Sequence, residues 1–155
     1  MIHIALSAVP FEPWQYLADW EARSALRAGQ YGATAVFVGT MRDFNAGDDV
    51  TAMYLEHYAG MTERQLAQLA NDAVAQYALD AALIVHRVGE ITPAQPIVLV
   101  AVWSAHRAAA FEACRMIMET LKHTAPFWKR ETLTDGSTRW VESNTSGDWS
   151  AASAV

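Results

Sequence analysis

The apolar residues of this chain are concentrated in short runs of β-branched composition. The longest run, Pro96–Trp103, is far too short to cross a bilayer as a helix, which needs about 20 residues. Ala33–Val38, Leu83–Val88 and Ile97–Trp103 have the length and composition of buried strands, and Gly- or Pro-containing segments adjoin them. The chain is therefore expected to fold around buried β-strands.

Segments with apolar residues at helical spacing separate these strands. Trp14–Ala28 is predicted to be a helix closed by Gly29. Thr62 and Gln65 form a predicted capping box that opens a second helix. The apolar stripe of that helix comprises Leu66, Leu69, Ala70, Ala73, Val74 and Tyr77.

A third helix is predicted to begin at a Ser104 cap and to run to about His123, before Pro126 interrupts it. Its buried stripe is expected to comprise Phe111, Cys114, Met118 and Leu121. The polar segment Arg42–Asp49 is typical of a mobile loop. Further strands are predicted at Ile2–Leu6, Val50–Tyr58, Phe127–Thr132 and Thr138–Val141. The predicted class is α+β, with strands outnumbering helices.

Composition limits the classes of protein that the chain can belong to. Of its 155 residues 52% are hydrophobic and 18% are charged, which predicts one globular domain, 1–142. The Ser- and Ala-rich tail, 143–155, is expected to be flexible. Met1–Ile4 has no signal-peptide pattern, and the net charge of -6 argues against nucleic acid as a partner.

The single cysteine, Cys114, excludes an internal disulfide framework and fits a reducing cytoplasm. Its apolar helical neighbours favour a buried, inert thiol over a nucleophile. No Cys or His cluster has the spacing of metal ligands. The sequence therefore predicts no metal site, no cofactor and no membrane association.

The two lysines, Lys122 and Lys129, are neighbours in a chain that otherwise uses nine arginines. A genomic preference for arginine explains why lysine is rare, but it does not explain why the two lysines lie close together. Lysine can lose its proton when it is buried or crowded by other cations, whereas arginine stays charged. The pair is therefore a candidate for chemistry that needs an amine.

Other basic residues occur where the predicted structure can use them. His106 and Arg107 open the third helix, where unpaired N–H groups favour an anion, although both could instead face solvent or pair with Glu112. Cations favoured at a helix C-terminus would explain Lys122 and His123 without any site. They would not explain Lys129, which lies beyond the proline. Arg42 is a candidate only because these other basic residues occur in the same chain.

Helix length separates the two ends of the third helix. His106 and Lys122 are sixteen residues apart, or about 24 Å along a helix, so one small ligand cannot touch both. They belong either to two sites or to a site shared across a twofold dimer, and we predict the dimer.

The residues from about 32 to 142 resemble, in unbroken order, successive motifs of the large subunit of molybdopterin synthase. The motifs are Gly39-Thr-Met-Arg42, Leu55-Glu-His-Tyr58 with Gly60-Met-Thr62, His86-Arg-Val-Gly-Glu90, Ser104-Ala-His-Arg107-Ala-Ala-Ala-Phe111-Glu112, Lys122 with Pro126-Phe-Trp-Lys129-Arg-Glu131, and Arg139-Trp-Val-Glu142. The Ser-Ala-His-Arg and Pro-Phe-Trp-Lys-Arg-Glu motifs at this separation are highly specific.

The resemblance implies an α/β-hammerhead fold and a homodimer that forms the core of a heterotetramer. At each end, a small ubiquitin-like sulfur-carrier subunit would thread its C-terminal Gly-Gly thiocarboxylate into a pocket. The enzyme would be a sulfurtransferase in molybdenum cofactor biosynthesis. It would add two sulfurs to cyclic pyranopterin monophosphate, a small pterin substrate, to form the dithiolene of molybdopterin.

The resemblance also implies roles for individual residues. It assigns catalysis to Lys122 and Lys129. Lys122 is expected beside the thiocarboxylate carbon, where it would act as an acid or base or form a transient covalent adduct. Substrate binding falls on Thr40, Met41, Arg42, His106, Arg107, Arg130 and Glu131, and the apolar lining on Phe37 and Met118. The family often has a basic residue and then valine where this chain has Thr40-Met41, which weakens the assignment of Thr40.

Two other functions suit the same residues. Crowded amines also serve Schiff-base lysine enzymes, which borohydride would trap with a carbonyl substrate. An anion-sensing or adaptor module would bind a phosphorylated ligand without turnover and would need no thiocarboxylated partner.

Overall fold

The computed structural model describes residues 1–124 and 127–142, which form three helices and nine strands. The helices are α1 (Pro13–Arg23), α2 (Met61–Tyr77) and α3 (Arg107–Thr124). The strands are β1 (Ile2–Ser7), β2 (Ala33–Thr40), β3 (Phe44–Asn45), β4 (Asp48–His57), β5 (Ala81–Arg87), β6 (Gly89–Ile91), β7 (Pro96–Ser104), β8 (Phe127–Leu133) and β9 (Thr138–Trp140). The predicted interruption at Pro126 and the predicted tail, 143–155, lie outside the described residues.

The first sheet has the strand order β1-β5-β7-β2, and only its β1–β5 pair is parallel. Every residue of β5 is buried, as are the last seven residues of β7. Two central strands that are buried on both faces must be apolar on both faces, which explains their continuous apolar runs. These strands are the ones that the sequence predicts.

Helices cover both faces of this sheet. On one face, α2 and α3 pack against β-strand side chains that include Ile84, Val100 and Val102. On the other face, α1 packs against side chains that include Leu83 and Leu99, with the Trp20 and Trp103 ring centroids 4.8 Å apart. No described helix is both long and apolar enough to span a bilayer.

The second sheet is built on β4, which pairs antiparallel with β3, β6 and β8, while β8 also pairs with β9. The chain passes from the first sheet to the second after β2, again after β5 and again after α3. A separate small core lies under this sheet and comprises Met41, Val50, Met53, Leu55 and Ile91. The predicted α+β class is confirmed, and the strand pairing is mostly antiparallel.

Several predicted helix boundaries are wrong. Helix α1 ends at Arg23 rather than Ala28, because the Ser24 hydroxyl donates to the Glu21 carbonyl and competes with helix continuation. Helix α2 is capped at Gly60, whose N–H donates to the Glu63 carboxylate at 2.6 Å, and not by Thr62 and Gln65.

The start of α3 also differs from the prediction. Ser104 ends β7 instead of beginning the helix, and its hydroxyl oxygen accepts from the His106 N–H at 3.4 Å. Phe111 is 68% exposed, because the buried face of α3 runs one position earlier, through Ala110. Cys114 is buried as predicted.

Two short strands are missing from the prediction. The segment predicted as a mobile loop contains β3, which pairs with the start of β4 in a tight hairpin. Ala46 and Gly47 turn it with φ values of 52° and 86°, the left-handed pair that a two-residue hairpin turn requires. Strand β6 begins at Gly89 and is only three residues long, too short to show a period of two.

Removing a side chain from the main core should be costly. We expect Ile84→Ala to lower the free energy of unfolding by about 2–5 kcal/mol, because Ile84 is fully buried between the sheet and two helices. Denaturant unfolding measures it, with Val9→Ala as the control, since Val9 is 66% exposed. A loss below about 1 kcal/mol for Ile84→Ala would contradict this packing.

Candidate active site

A cavity of about 400 Å³ opens where the end of α3 meets both sheets. Its walls come from β2 and the residues that follow it, and from β4, α3 and β8. The C-terminal end of β5 and the N-terminal end of β7 complete them. The lining includes the predicted site residues Phe37, Thr40, Met41, Arg42, Met118, Lys122, Lys129 and Glu131. Eight predicted residues from three stretches of the chain, 37–42, 118–122 and 129–131, therefore share one cavity.

Both lysines reach this cavity from different elements. Lys122 lies in the last turn of α3, and Lys129 is the third residue of β8. Burial lowers the pKa of Lys129, and the positive charges of Lys122 and Arg42 lower it further, while Glu131 opposes them. A buried amine among cations loses its proton more readily than an exposed one.

Glu131 is the carboxylate of the site, and it is only 3% exposed. Its Oε1 lies 3.7 Å from the Lys129 Nζ and accepts from the Asn45 Nδ2 at 2.7 Å. Its Oε2 accepts from the Arg139 Nε at 3.1 Å. A buried carboxylate needs such partners to remain charged, and here three side chains supply them.

Alternation along β8 decides which of its residues face the cavity. Phe127, Lys129 and Glu131 point inward, so Trp128 and Arg130 point to the opposite face. The Arg130 guanidinium lies over the rings of Tyr54 and Trp140, at 5.3 and 5.7 Å from their centroids. The structure therefore does not bring Arg130 to the cavity with Lys129.

The apolar wall of the cavity requires glycine at position 39, because a side chain there would collide with its neighbours. A Cβ atom there would lie 2.8 Å from the Val98 Cγ1 and 3.2 Å from the Phe37 Cε1. Both neighbours line the cavity, so any larger residue at this position would displace the wall. Arg42 stands at the exposed rim, with its guanidinium 4.8 Å from the centroid of the Phe44 ring.

His86 forms part of the cavity wall, although its role was not predicted. Its ring stacks on Phe127 with centroids 4.1 Å apart, and its Nδ1 donates to the Arg87 carbonyl at 2.7 Å. Burial lowers the pKa of His86 to about 4. The imidazole is therefore neutral at pH 7 and contributes no positive charge to the cavity.

His106 and Arg107 do not contribute to this cavity. They lie at the start of α3, and Lys122 lies in its last turn, so the helix separates them as its length predicts. This separation is the one expected for two sites or for a site shared between two copies of the chain.

Asn45 and Arg139 belong to the site but were missed as functional residues. Asn45 sits in the segment predicted as a loop, and Arg139 was noted only as part of a motif. Their link to Glu131 depends on strand pairings that bring together residues 86 and 94 positions apart, and no local pattern reveals such pairings.

Metal ligands and the Cys114 thiol are the remaining candidates for chemistry in the described part of the chain. Residues 1–124 and 127–142 contain no group of three His, Cys, Asp or Glu side chains that could hold a metal ion. Burial raises the pKa of the Cys114 thiol to about 11, which agrees with an inert thiol.

Comparison with known proteins identifies relatives along most of the chain. A family model described as MoaE protein matches residues 13–124. The molybdopterin synthase catalytic subunit of Ralstonia nicotianae is 53% identical over 121 residues, 77% of this chain and 68% of that protein. The protein of the same name from Vibrio cholerae is 43% identical over 139 residues, 90% of this chain and 91% of that protein.

A solved structure shows the same fold. It is that of a molybdopterin biosynthesis MoaE protein from Burkholderia ambifaria, and it is 42% identical in sequence. The match covers 99% of this chain and 97% of that chain with a TM-score of 0.76.

The buried His86 should make stability depend on pH. Its pKa is about 4 in the folded protein and about 6.5 in the unfolded chain, so the unfolded chain binds more protons between these values. We expect the free energy of unfolding to fall as the pH drops from about 6.5 to about 4, with a His86 contribution of up to about 3 kcal/mol.

Denaturant unfolding at pH 7 and pH 4.5 tests this expectation. His86→Phe keeps a ring against Phe127 and should lose part of the decline, whereas His123→Gln, at an exposed position, should keep the wild-type decline. An equal decline in His86→Phe and the wild type would show that His86 is not the group responsible.

Proposed function

The chain belongs to the MoaE protein family, and we propose that it acts as the catalytic subunit of a molybdopterin synthase. Relatives that are 43% and 53% identical carry that name, and the first matches over 90% of this chain. The observation that carries the proposal is the meeting of both lysines of the chain in one cavity beside Arg42. The enzyme is a sulfurtransferase that forms the molybdopterin dithiolene from cyclic pyranopterin monophosphate.

The charges in the cavity suit an anionic substrate. Lys122, Lys129 and Arg42 bring three positive charges to it, and the one carboxylate that lines it, Glu131, is already engaged by protein donors. A cyclic phosphate or a thiocarboxylate would be stabilised there by charge-assisted hydrogen bonds. Negative charge that develops during sulfur transfer would be stabilised in the same way.

The two lysines have different surroundings, which supports a division of roles. Lys129 has a counter-charge in Glu131 and is held in place on a strand, so it serves to bind the anionic substrate. Lys122 approaches from the last turn of α3 and serves at the thiocarboxylate carbon as acid or base. Phe37 and Met118 line the cavity and exclude water around the reacting groups.

The sulfur enters on a partner protein. The relatives are named catalytic subunits, so their enzyme has at least one further subunit. We take the partner to be a small ubiquitin-like carrier whose Gly-Gly C-terminus bears the thiocarboxylate. Two glycines have no side chains, so such a tail can enter a cavity walled by Phe37, Gly39 and Met118.

A second copy of this chain completes the site in our proposal. His106 and Arg107 are basic, lie at the N-terminal end of α3 and cannot reach the cavity of their own copy. A twofold homodimer would place them at the partner's cavity, where they would bind the substrate phosphate. Two carriers on this dimer give a heterotetramer, and a biosynthetic enzyme of this kind with a single buried thiol works in the cytoplasm.

Removing either lysine amine should stop the reaction without unfolding the protein. We expect Lys122→Ala and Lys129→Ala each to lower molybdopterin formation by about 100-fold or more, because Lys122 is the positioned acid or base and Lys129 stabilises the negative charge of the substrate. The assay mixes the protein with a thiocarboxylated carrier and cyclic pyranopterin monophosphate. Carrier binding and the unfolding midpoint should stay close to those of the wild type.

The arginine variants serve as the matched control. Lys122→Arg keeps the positive charge but cannot lose its proton, so it should remain nearly inactive if the amine takes part in proton transfer. Lys129→Arg should retain more activity, because anion binding needs only the charge. Full activity in either alanine variant would refute the assignment.

Mixing two inactive variants tests the shared site. His106→Ala and Lys122→Ala are each expected to be inactive as homodimers, but half of a random mixture would be mixed dimers with one intact site. We expect the mixture to recover about a quarter of the wild-type activity. No recovery, despite subunit exchange demonstrated with differently tagged copies, would mean that the two residues do not share a site.

A further inference from the structure

Arg139 on β9 joins three segments of the chain from behind the cavity. Its Nη1 donates to the Asp48 carboxylate at 2.7 Å, its Nη2 donates to the Asn45 carbonyl at 3.0 Å, and its Nε donates to Glu131. Arg139 does not line the cavity itself. All three arms of the guanidinium are therefore used within the protein and not for a ligand.

The two oxygens of the Glu131 carboxylate have different partners. One oxygen, Oε1, faces Lys129 and the Asn45 amide, while Oε2 is held by Arg139. A carboxylate fixed at both oxygens cannot rotate away from its partners. The Asn45 amide holds Oε1 beside the Lys129 amine, and Arg139 at the opposite oxygen sets how much of the carboxylate's charge that amine meets.

The β3–β4 hairpin is held by the same guanidinium. Asn45 and Asp48, which pair with each other across the hairpin, both contact Arg139, and Asn45 in turn donates to Glu131. The hairpin follows Arg42, which stands at the rim of the cavity. One residue behind the cavity therefore connects its rim to its buried carboxylate.

We propose that Arg139 is a positioning residue that clamps the β3–β4 hairpin onto Glu131 and so sets the counter-charge that Lys129 meets. The consequence for sulfur transfer rests on the proposed function, but the clamp itself does not. The planar guanidinium of an arginine suits this role, because it presents its N–H donors in a fixed fork that a lysine cannot reproduce.

Electrostatics gives the clamp a measurable consequence. The charged groups that face Lys129 are Glu131 on its own strand, Lys122 on α3 and Arg42 after β2, and the neutral His86 on β5 lines the same cavity. Glu131 alone favours the protonated amine. Because Arg139 shares the Glu131 charge, it weakens that effect, and its loss would raise the Lys129 pKa.

Two lysines in the chain make the experiment simple. Protein labelled with ¹³C only at the lysine Cε gives two titrating signals, and the Lys122→Arg variant assigns them. In Arg139→Gln the titration midpoint of Lys129 should rise by about half a unit or more, while Arg139→Lys, which keeps the charge but not the fork, should lie between the variant and the wild type.

The control variant is Arg27→Gln, which removes the same charge from an exposed position beyond α1 and should leave the Lys129 midpoint unchanged. A purely structural Arg139 would lower the unfolding midpoint of Arg139→Gln and leave Lys129 titrating as in the wild type. That result in a folded variant overturns the proposal. If Arg139→Gln does not fold, Arg139→Lys decides by the same criterion.

The activity assay separates this proposal from the proposed function. With carrier and pterin, Arg139→Gln should form molybdopterin about tenfold more slowly than the wild type, and Arg27→Gln should match the wild type. If the wild type forms no product but the Lys129 midpoint shifts as expected, the clamp stands and the proposed function fails. If the wild type is active and the midpoint does not move, the clamp fails alone.

Discussion

The burial of β5 and β7 on both faces is the constraint on which the rest of the molecule depends. Strands without a solvated face need cover on two sides, and the chain supplies α1 on one side and α2 with α3 on the other. Packing of α3 against β2 and β7 directs its last turn, with Lys122, toward the edge where the second sheet begins. The position of the site thus follows from the packing of the core, because several residues that line the cavity also belong to the core or pack against it.

The second physical theme is an imbalance of charge in the cavity. Three cations converge there, and the single buried carboxylate is divided among Lys129, Asn45 and Arg139. Burial and the repulsion by Lys122 and Arg42 lower the pKa of Lys129, and a bound anion would offset that repulsion and favour the protonated amine. Binding of an anion in the cavity and protonation of Lys129 would therefore be linked, so each would strengthen the other.

Local patterns predicted most of the fold but not the details of the site. The apolar runs of β2, β5 and β7 identified the central strands, since burial on both faces leaves a continuous apolar signature. Strand β6 and the β3 pairing carry no such signature, and Phe111 was assigned to the core although the buried face of α3 passes through Ala110. Lys122 and Lys129 were found by composition and motif. Arg130 was grouped with Lys129, although alternation along a strand separates neighbours onto opposite faces, and Asn45 and Arg139 required the pairing of distant strands.

The length of α3 has a consequence for how a dimer would work. Its 18 residues span about 27 Å, so the basic residues at its start and Lys122 at its end are held at a fixed separation by a rigid element. In the proposed dimer each helix serves two cavities, with its end in one and its start in the other. A rigid helix would then fix the distance between the phosphate site and the sulfur-transfer site without any flexible segment, because the same core that positions Lys122 also positions His106 and Arg107. Precise placement of this kind favours reaction more than additional binding contacts would, since misplacement by about 1 Å can slow catalysis by about 100-fold.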